Sequence, residues 1–369
     1  MQTELDLNVQ VAEPAHVQIE RALRRQIQCG KLAPYQRLPS TNELVRQLGV
    51  SRNAIQRAMS ALVKDGWIER KPMRGTFVKN PLRPALIGIL FNPNLADENA
   101  CFQRTVLQAL RRNLSALNEN AWQCRTYDGF HQLKFGRNIK NLPGYQDLIK
   151  DMKNYPFAGF IQLVGRDSRN KLNAVIKGVP TVRFGSPLDP AVDLALDYEE
   201  FGRSSVEYLA KLGLQRLAYF RVMRNITCDG MDTRGIQSAA ARVKIPKVEI
   251  CQTPDADRKT CLQELAYNSM CALMRKWDRR NNWPQGLIVS DDIAMYGVAM
   301  ALAQKGVEVP GKMKVLMMAN KGINLWYGIP VVRNEFSPDD LARGLVRMLS
   351  LRIHKKNLPA RPVKVPCKL

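Results

Sequence analysis

The sequence predicts a small head of short helices closed by a β-hairpin, followed by a two-lobed α/β domain with parallel sheets. Three observations carry that expectation. Near the N-terminus, three segments with helical spacing precede two strand-like runs. From Ala85 onward, continuous apolar runs of strand length alternate with amphipathic stretches, the pattern of parallel strands covered on both faces. The 369-residue length exceeds one typical domain, and the chain beyond residue 85 is itself long for a single sheet.

Residues 1–14 read as a flexible tail, 15–79 as the head, 80–84 as a linker and 85–369 as the large domain. Over residues 16–29, Val17, Ile19, Ala22, Leu23 and Ile27 fall at helical spacing, with Arg21, Arg24 and Arg25 on the solvated side, and Gly30 ends the helix. Ser40 stands three residues before Glu43, the capping-box spacing, and opens a helix carrying Leu44, Val45 and Leu48 that Gly49 breaks. Ser51 opens a third helix. Its apolar face is Ile55, Met59, Leu62 and Val63, and its polar face is Arg52, Asn53, Gln56, Arg57 and Ser60. Residues 67–70 and 76–78 then pair around the basic turn 71–75. Three helices and a hairpin in this order make an α+β winged helix-turn-helix, with Trp67, Phe77, Leu48 and Val50 in its core. Two prolines at 81 and 84 prevent a regular element in the linker.

In the large domain, strands are predicted at 85–91, 159–164, 181–184, 217–220, 286–289 and 315–318, and helices at 102–118, 169–177 and 198–212. Asp197 with Glu200 three residues on reads as a helix cap, not a catalytic carboxylate pair.

Lys plus Arg number 56 against 33 Asp plus Glu, a net charge of +23, which draws a polyanion and points first to nucleic acid. Residues 16–83 alone hold 14 basic residues against four acids. The eight cysteines are scattered without a C-x-x-C pair, so they read as reduced thiols. No metal cluster, glycine-rich phosphate loop or Ser/His/Asp order is present, so neither an enzyme nor a cofactor is expected. With no secretion signal and no membrane-spanning run, the expected location is cytoplasmic.

An α-helix fits the major groove of B-DNA, and the third helix offers Arg52, Asn53 and Gln56 from its N-terminal half to base edges. Ser40 and Thr41 at a helix start, with Arg46, suit a phosphate. Arg74, Gly75 and Thr76 at the wing suit the minor groove, where arginine is drawn to negative potential and glycine lets the backbone approach. The run from Gly30-Lys31-Leu32 through Leu38-Pro39-Ser40, Glu43-Leu44, Leu48-Gly49-Val50-Ser51-Arg52-Asn53-Ala54-Ile55, Asp65-Gly66-Trp67-Ile68 and Arg74-Gly75-Thr76-Phe77-Val78 resembles the GntR family of bacterial regulators. That resemblance places Ser40, Thr41, Arg46, Ser51, Arg52, Asn53, Arg57 and Gly75 on DNA-contacting positions. Two departures stand out: Tyr35 where a glycine is usual, and Gln56 where arginine or valine is common.

Gly286-Leu287-Ile288-Val289-Ser290-Asp291-Asp292 is a strand delivering polar groups at its carboxyl end, where open α/β sheets bind ligands. With Asp232-Thr233-Arg234-Gly235, Gly306-x-x-Val309-Pro310 and Phe336-x-x-Asp339-x-Leu341-Ala342, it resembles the LacI/GalR sensor, a periplasmic-binding-protein-like fold. The resemblance implies two lobes closing on a small molecule, a sugar or related metabolite, and a homodimer. A GntR head on such a sensor is similar to the architecture of the arabinose repressors. The candidate effector-binding residues are Phe102, Asp232, Arg234, Ser290, Asp291 and Asn320. Asp232 stands where the family has a ligand-binding arginine, and Ala319-Asn320-Lys321 replaces expected acids. The expectation is an effector-controlled regulator of operator DNA, a repressor by default; the competing expectation is a constitutive DNA-binding protein whose C-terminal domain only dimerises.

Overall fold

The structure is a computed structural model and describes residues 14–28, 31–79, 85–97, 100–116, 122–221, 230–253, 261–359 and 361–369. The expected tail up to residue 13, the linker 80–84, Gly30 as a helix stop, and Cys29 and Cys228 lie outside the described residues. The six described cysteines are all free thiols.

The head is built from α1 (Ala15–Gln28), α2 (Thr41–Leu48), α3 (Arg52–Lys64) and the antiparallel hairpin β1 (Ile68–Lys71) and β2 (Gly75–Val78). Ile19, Leu23, Leu38, Leu44, Ile55, Met59, Leu62, Trp67 and Val78 close around one core. Both turns into α2 and α3 are written in the sequence. Ser40 accepts from the Glu43 N–H while Glu43 accepts from the Ser40 N–H, and Gly49 ends α2 at a φ of 63°. Ser51 caps α3 through the Ala54 N–H at 3.2 Å. Val63, expected on the apolar face, is instead exposed: it stands one residue, about 100°, beyond the buried Leu62, which carries it off the core stripe.

Among the described residues the large domain has two main sheets, wholly or mostly parallel, and a separate short pair of parallel strands. The first lobe orders its strands β4-β3-β5-β6, from β3 (Leu86–Phe91), β4 (Gln123–Tyr127), β5 (Phe157–Leu163) and β6 (Thr181–Arg183), with α4 (Cys101–Ala116), α5 (Pro143–Asn154) and α6 (Arg166–Val175) between them. A short strand β7 (Leu194–Leu196) leads into the second lobe. That lobe contributes α7 (Tyr198–Lys211), β8 (Leu217–Arg221), α8 (Met231–Arg242), β9 (Val248–Gln252), α9 (Leu262–Arg279), β10 (Gly286–Val289), α10 (Ala294–Gln304), β11 (Lys314–Asn320) and β12 (Val332–Phe336). The chain then returns as α11 (Pro338–Ile353), β13 (Val363–Val365) and β14 (Cys367–Lys368). Strands β12, β11, β10, β8 and β9 run parallel, with β14 antiparallel at the edge.

Buried β3 reads as an unbroken apolar run, and β5 as one broken only by the buried Gln162, because both faces are covered. The Asp197 side chain accepts the Glu200 N–H and caps α7, as its spacing predicts. Helices α7 and α8 meet with backbone in contact: a Cβ on Gly202 would stand 2.2 Å from the Asp232 carbonyl oxygen, and one on Gly235 2.0 Å from that of Glu199. The glycine of the Asp232–Gly235 segment is therefore a packing requirement.

Candidate nucleic-acid interface and ligand cleft

Helix α3 turns Ile55, Ala58, Met59 and Leu62 into the core and leaves Arg52, Asn53, Gln56, Arg57 and Ser60 exposed along the opposite face. Arg52 donates to the Asn42 side chain at 3.1 Å, an exposed contact that aims the guanidinium along the start of the helix. Ser40, Arg46 and Ser51 are exposed beside it, with Thr41 half-buried at the start of α2. Glu43, the one acid on this surface of α2, is held below the usual carboxylate range, first by the Ser40 backbone N–H. In the wing, Lys71, Met73 and Arg74 are exposed while Gly75 and Thr76 are half-buried. Gly75 has a φ of 110°, and a Cβ there would stand 2.9 Å from Arg37 Nε, so the turn itself demands glycine. Tyr35, the departure from the usual glycine, also holds a left-handed φ of 66° and donates its N–H to the Val78 carbonyl at the base of the wing.

Not every arginine of the head is presented. Arg24 pairs with Glu20 at 2.6 Å and with Asp65, and lies 5.4 Å from the Trp67 ring centre. Arg25 donates to the Gly178 carbonyl at 3.2 Å, joining α1 to the first lobe.

At the carboxyl ends of the second lobe's strands stand Arg221, Ser290, Asp291, Asp292 and Asn320. The Asp291 Oδ1 accepts the N–H groups of Ile293 and Ala294 at 2.9 and 2.8 Å, the first turn leading into α10. Burial, then the adjacent Asp292 carboxylate, push Asp291 up to about 7. Asp292 accepts from Asn320 Nδ2 at 2.9 Å, and its own carbonyl accepts the Tyr327 hydroxyl. Asp232 is turned inward and only 2% exposed. Its Oδ2 accepts the Tyr219 hydroxyl and lies 3.3 Å from Arg221 Nε, while Oδ1 accepts the Thr233 N–H. Arg234, two residues on and so on the opposite side of α8, is exposed.

Sequence reasoning did not single out Arg221, Tyr327 or Arg333. Arg333 pairs with Glu335 at 2.7 Å and donates to the Asn320 and Ile323 carbonyls, so it fixes the loop after β11. Its position in the polar strand β12 gives no local signal; the partners are set only by pairing β12 with β11. In the first lobe, the corresponding end of β3 places Asn92 against Ser168 at 3.1 Å, with His131 on the Asn92 carbonyl, and Phe102 half-buried in the first turn of α4. A separate recess of about 460 Å³ opens between β4 and α5. Its Asp151 already accepts Arg125 at 2.6 Å and the Tyr127 hydroxyl at 2.7 Å, so its strongest charges are matched to each other.

A winged helix-turn-helix joined to a two-lobed parallel α/β domain defines a class in which a DNA-reading head precedes a binding-protein-like body. Residues 15–78 match the model of the bacterial regulatory proteins of the gntR family, and residues 206–369 match that of the periplasmic binding protein-like domain. The chain therefore carries a GntR helix-turn-helix domain followed by a periplasmic-binding-protein-like domain. It is 40% identical over 86 residues to the HTH-type transcriptional repressor NagR of Bacillus subtilis, 23% of this chain and 35% of that one. It is 29% identical over 68 residues to the arabinose metabolism transcriptional repressor of Geobacillus stearothermophilus, 18% of this chain and 19% of that one. The chain thus spans about a third or less of the length of these curated relatives. In fold it is similar to the lac repressor dimer bound to operator and the anti-inducer ONPF, with a TM-score of 0.58 at 14% identity over 78% of this chain and 93% of that one.

Proposed function

We propose that this chain is a sequence-specific DNA-binding transcription repressor whose two-lobed domain responds to a small-molecule effector. The observation that carries the reading is α3: one face is locked into the core while Arg52, Asn53, Gln56 and Arg57 stand exposed on a helix of the right dimensions for the major groove. Ser40, Thr41, Arg46 and Ser51 take flanking phosphates, and Arg74, Gly75 and Thr76 enter the adjacent minor groove. The protein acts by binding, without a catalytic step, in the cytoplasm. The head spans 15–79 and the effector and dimerisation domain 85–369.

The effector sits at the strand ends, touching Phe102, Arg234, Ser290, Asp291 and Asn320, with Asp232 fixing Arg221 beneath it. A sugar or related polar metabolite matches this mixture of donors and acceptors. The lac repressor likeness is to a dimer, and an exposed apolar patch on this chain supports the same reading. Tyr296 on α10 packs on Tyr327 with ring centres 4.8 Å apart. Trp326 beside it is 85% exposed, and Met300, one turn along α10, is 65% exposed. A second copy covering this apolar patch matches two heads to a pseudo-palindromic site.

The experiment is a thermal-shift screen of the purified full-length chain against sugars, sugar acids, phosphates and nucleobases, paired with operator binding at several salt concentrations. A ligand that binds the folded state raises its melting temperature by mass action, and it should also change operator affinity. Silence across the panel with operator binding intact would favour a body that only dimerises. Trp326→Asp should convert dimer to monomer in sedimentation.

A further inference from the structure

The tip of the wing holds a residue that the folded protein does not account for. Lys71 and Arg74 close a tight turn, with the Arg74 N–H on the Lys71 carbonyl at 3.1 Å, so Pro72 and Met73 are its central pair. Proline followed by a residue at positive φ is the arrangement that favours glycine in the second place. Met73 occupies it, at a φ of 61°. Its side chain is fully exposed, packing against nothing among the described residues. A long apolar side chain is thus held in a strained backbone conformation, at the outermost point of a basic hairpin, with no contact among the described residues in return.

Exposed apolar residues are ordinary on protein surfaces, but this one combines exposure with a backbone that favours glycine. Tyr35 shares both properties at the opposite end of the wing, beside Val78. Only Met73 is flanked by the cations Lys71 and Arg74. Those neighbours favour a polyanionic partner over an apolar protein surface. An unbranched thioether chain is narrow and flexible enough to slide between stacked bases.

We propose that Met73 is a minor-groove wedge, entering a base step beside the Arg74 contact and partly unstacking it, so that operator choice depends on how easily that step opens. This rests on the reading of the head as a DNA-binding unit. Pyrimidine–purine steps, which unstack most readily, are the expected sequence under the wing.

The test starts by selecting duplexes from a random-sequence DNA library with the full-length protein. The enriched duplex is then rebuilt with 2-aminopurine at successive positions under the wing. The wild-type protein should raise the fluorescence at one step on binding. Met73→Gly should abolish that rise and weaken binding by about tenfold, while melting no lower than wild type because glycine relieves the turn. Met73→Leu should keep both properties, and Tyr35→Gly should alter neither. If Met73→Gly binds the selected duplex as tightly as wild type with the same fluorescence response, the wedge is overturned and the DNA-binding head stands. If no duplex is enriched at all, the head reading fails and the wedge falls with it.

Discussion

Helix α3 and the strand ends of the second lobe are both rich in charged and polar side chains, and they dispose of them in opposite ways. On α3, Arg52, Asn53, Gln56 and Arg57 line an exposed face. At the strand ends, Asp232 is engaged by Tyr219 and Arg221, Asp292 by Asn320, and Arg333 by Glu335 and two carbonyls. Polar groups that satisfy one another shape a site; polar groups left facing water are available to a partner. The difference separates residues whose loss should unfold the protein from those whose loss should blind it.

The largest expected effect is on the shaping side. Asp232→Ala removes the buried carboxylate that accepts the Tyr219 hydroxyl and faces Arg221 and should lower stability by about 3–5 kcal/mol, measured by urea unfolding; an unchanged midpoint would mean that the carboxylate faces solvent after all. Next, Arg52→Ala should cost about 1–3 kcal/mol of specific operator binding with little change in melting temperature. Equal losses on operator and random DNA would make it a phosphate contact instead.

Ser40 belongs to both kinds. Ser40→Ala should reduce the stability of the head by about 1 kcal/mol through loss of the cap. Ser40→Asp should keep the cap while repelling a phosphate, so a variant that is stable but binds DNA weakly would separate the two roles.

The smallest effect is a slope. Because the folded chain holds the Asp291 proton up to about 7, against about 4 for an exposed carboxyl, it binds more protons than the unfolded chain between those values. Stability therefore falls as pH rises through that window. Asp291→Asn should flatten the dependence of melting temperature on pH from about 5 to 7.5, and a slope as steep as that of wild type would count against the raised Asp291 carboxyl.

The legible parts of the sequence share a cause. Strands β3, β5, β8, β10 and β11 lie inside their sheets and announce themselves as apolar runs. Edge strands β4 and β9, covered less completely, carry Arg125, Glu249 and Gln252 and were not predicted; neither was β12, whose Arg333 and Glu335 are half-buried. Helix α9 is absent from the sequence expectation although Leu265, Met270, Met274 and Trp277 mark its buried stripe. The head was read nearly residue by residue because caps, breaks and turn residues act locally. At the strand ends, Asp291 and Asn320 were visible by position. The partnership of Asp232 with Arg221 and Tyr219 was not, because it depends on how α8 packs over β8, which no local spacing records.

Completion of the first lobe waits for α11 and β13, which follow the strands of the second lobe. Its sheet is covered by α11, whose Leu349 lies against Gly159, and β13 pairs with β7 through Val363, Lys364 and Val365. During synthesis the head, whose core is complete by Val78, is free to fold while the body still lacks its closing helix. A nascent chain therefore has a finished head before it has made the helix that closes the first lobe.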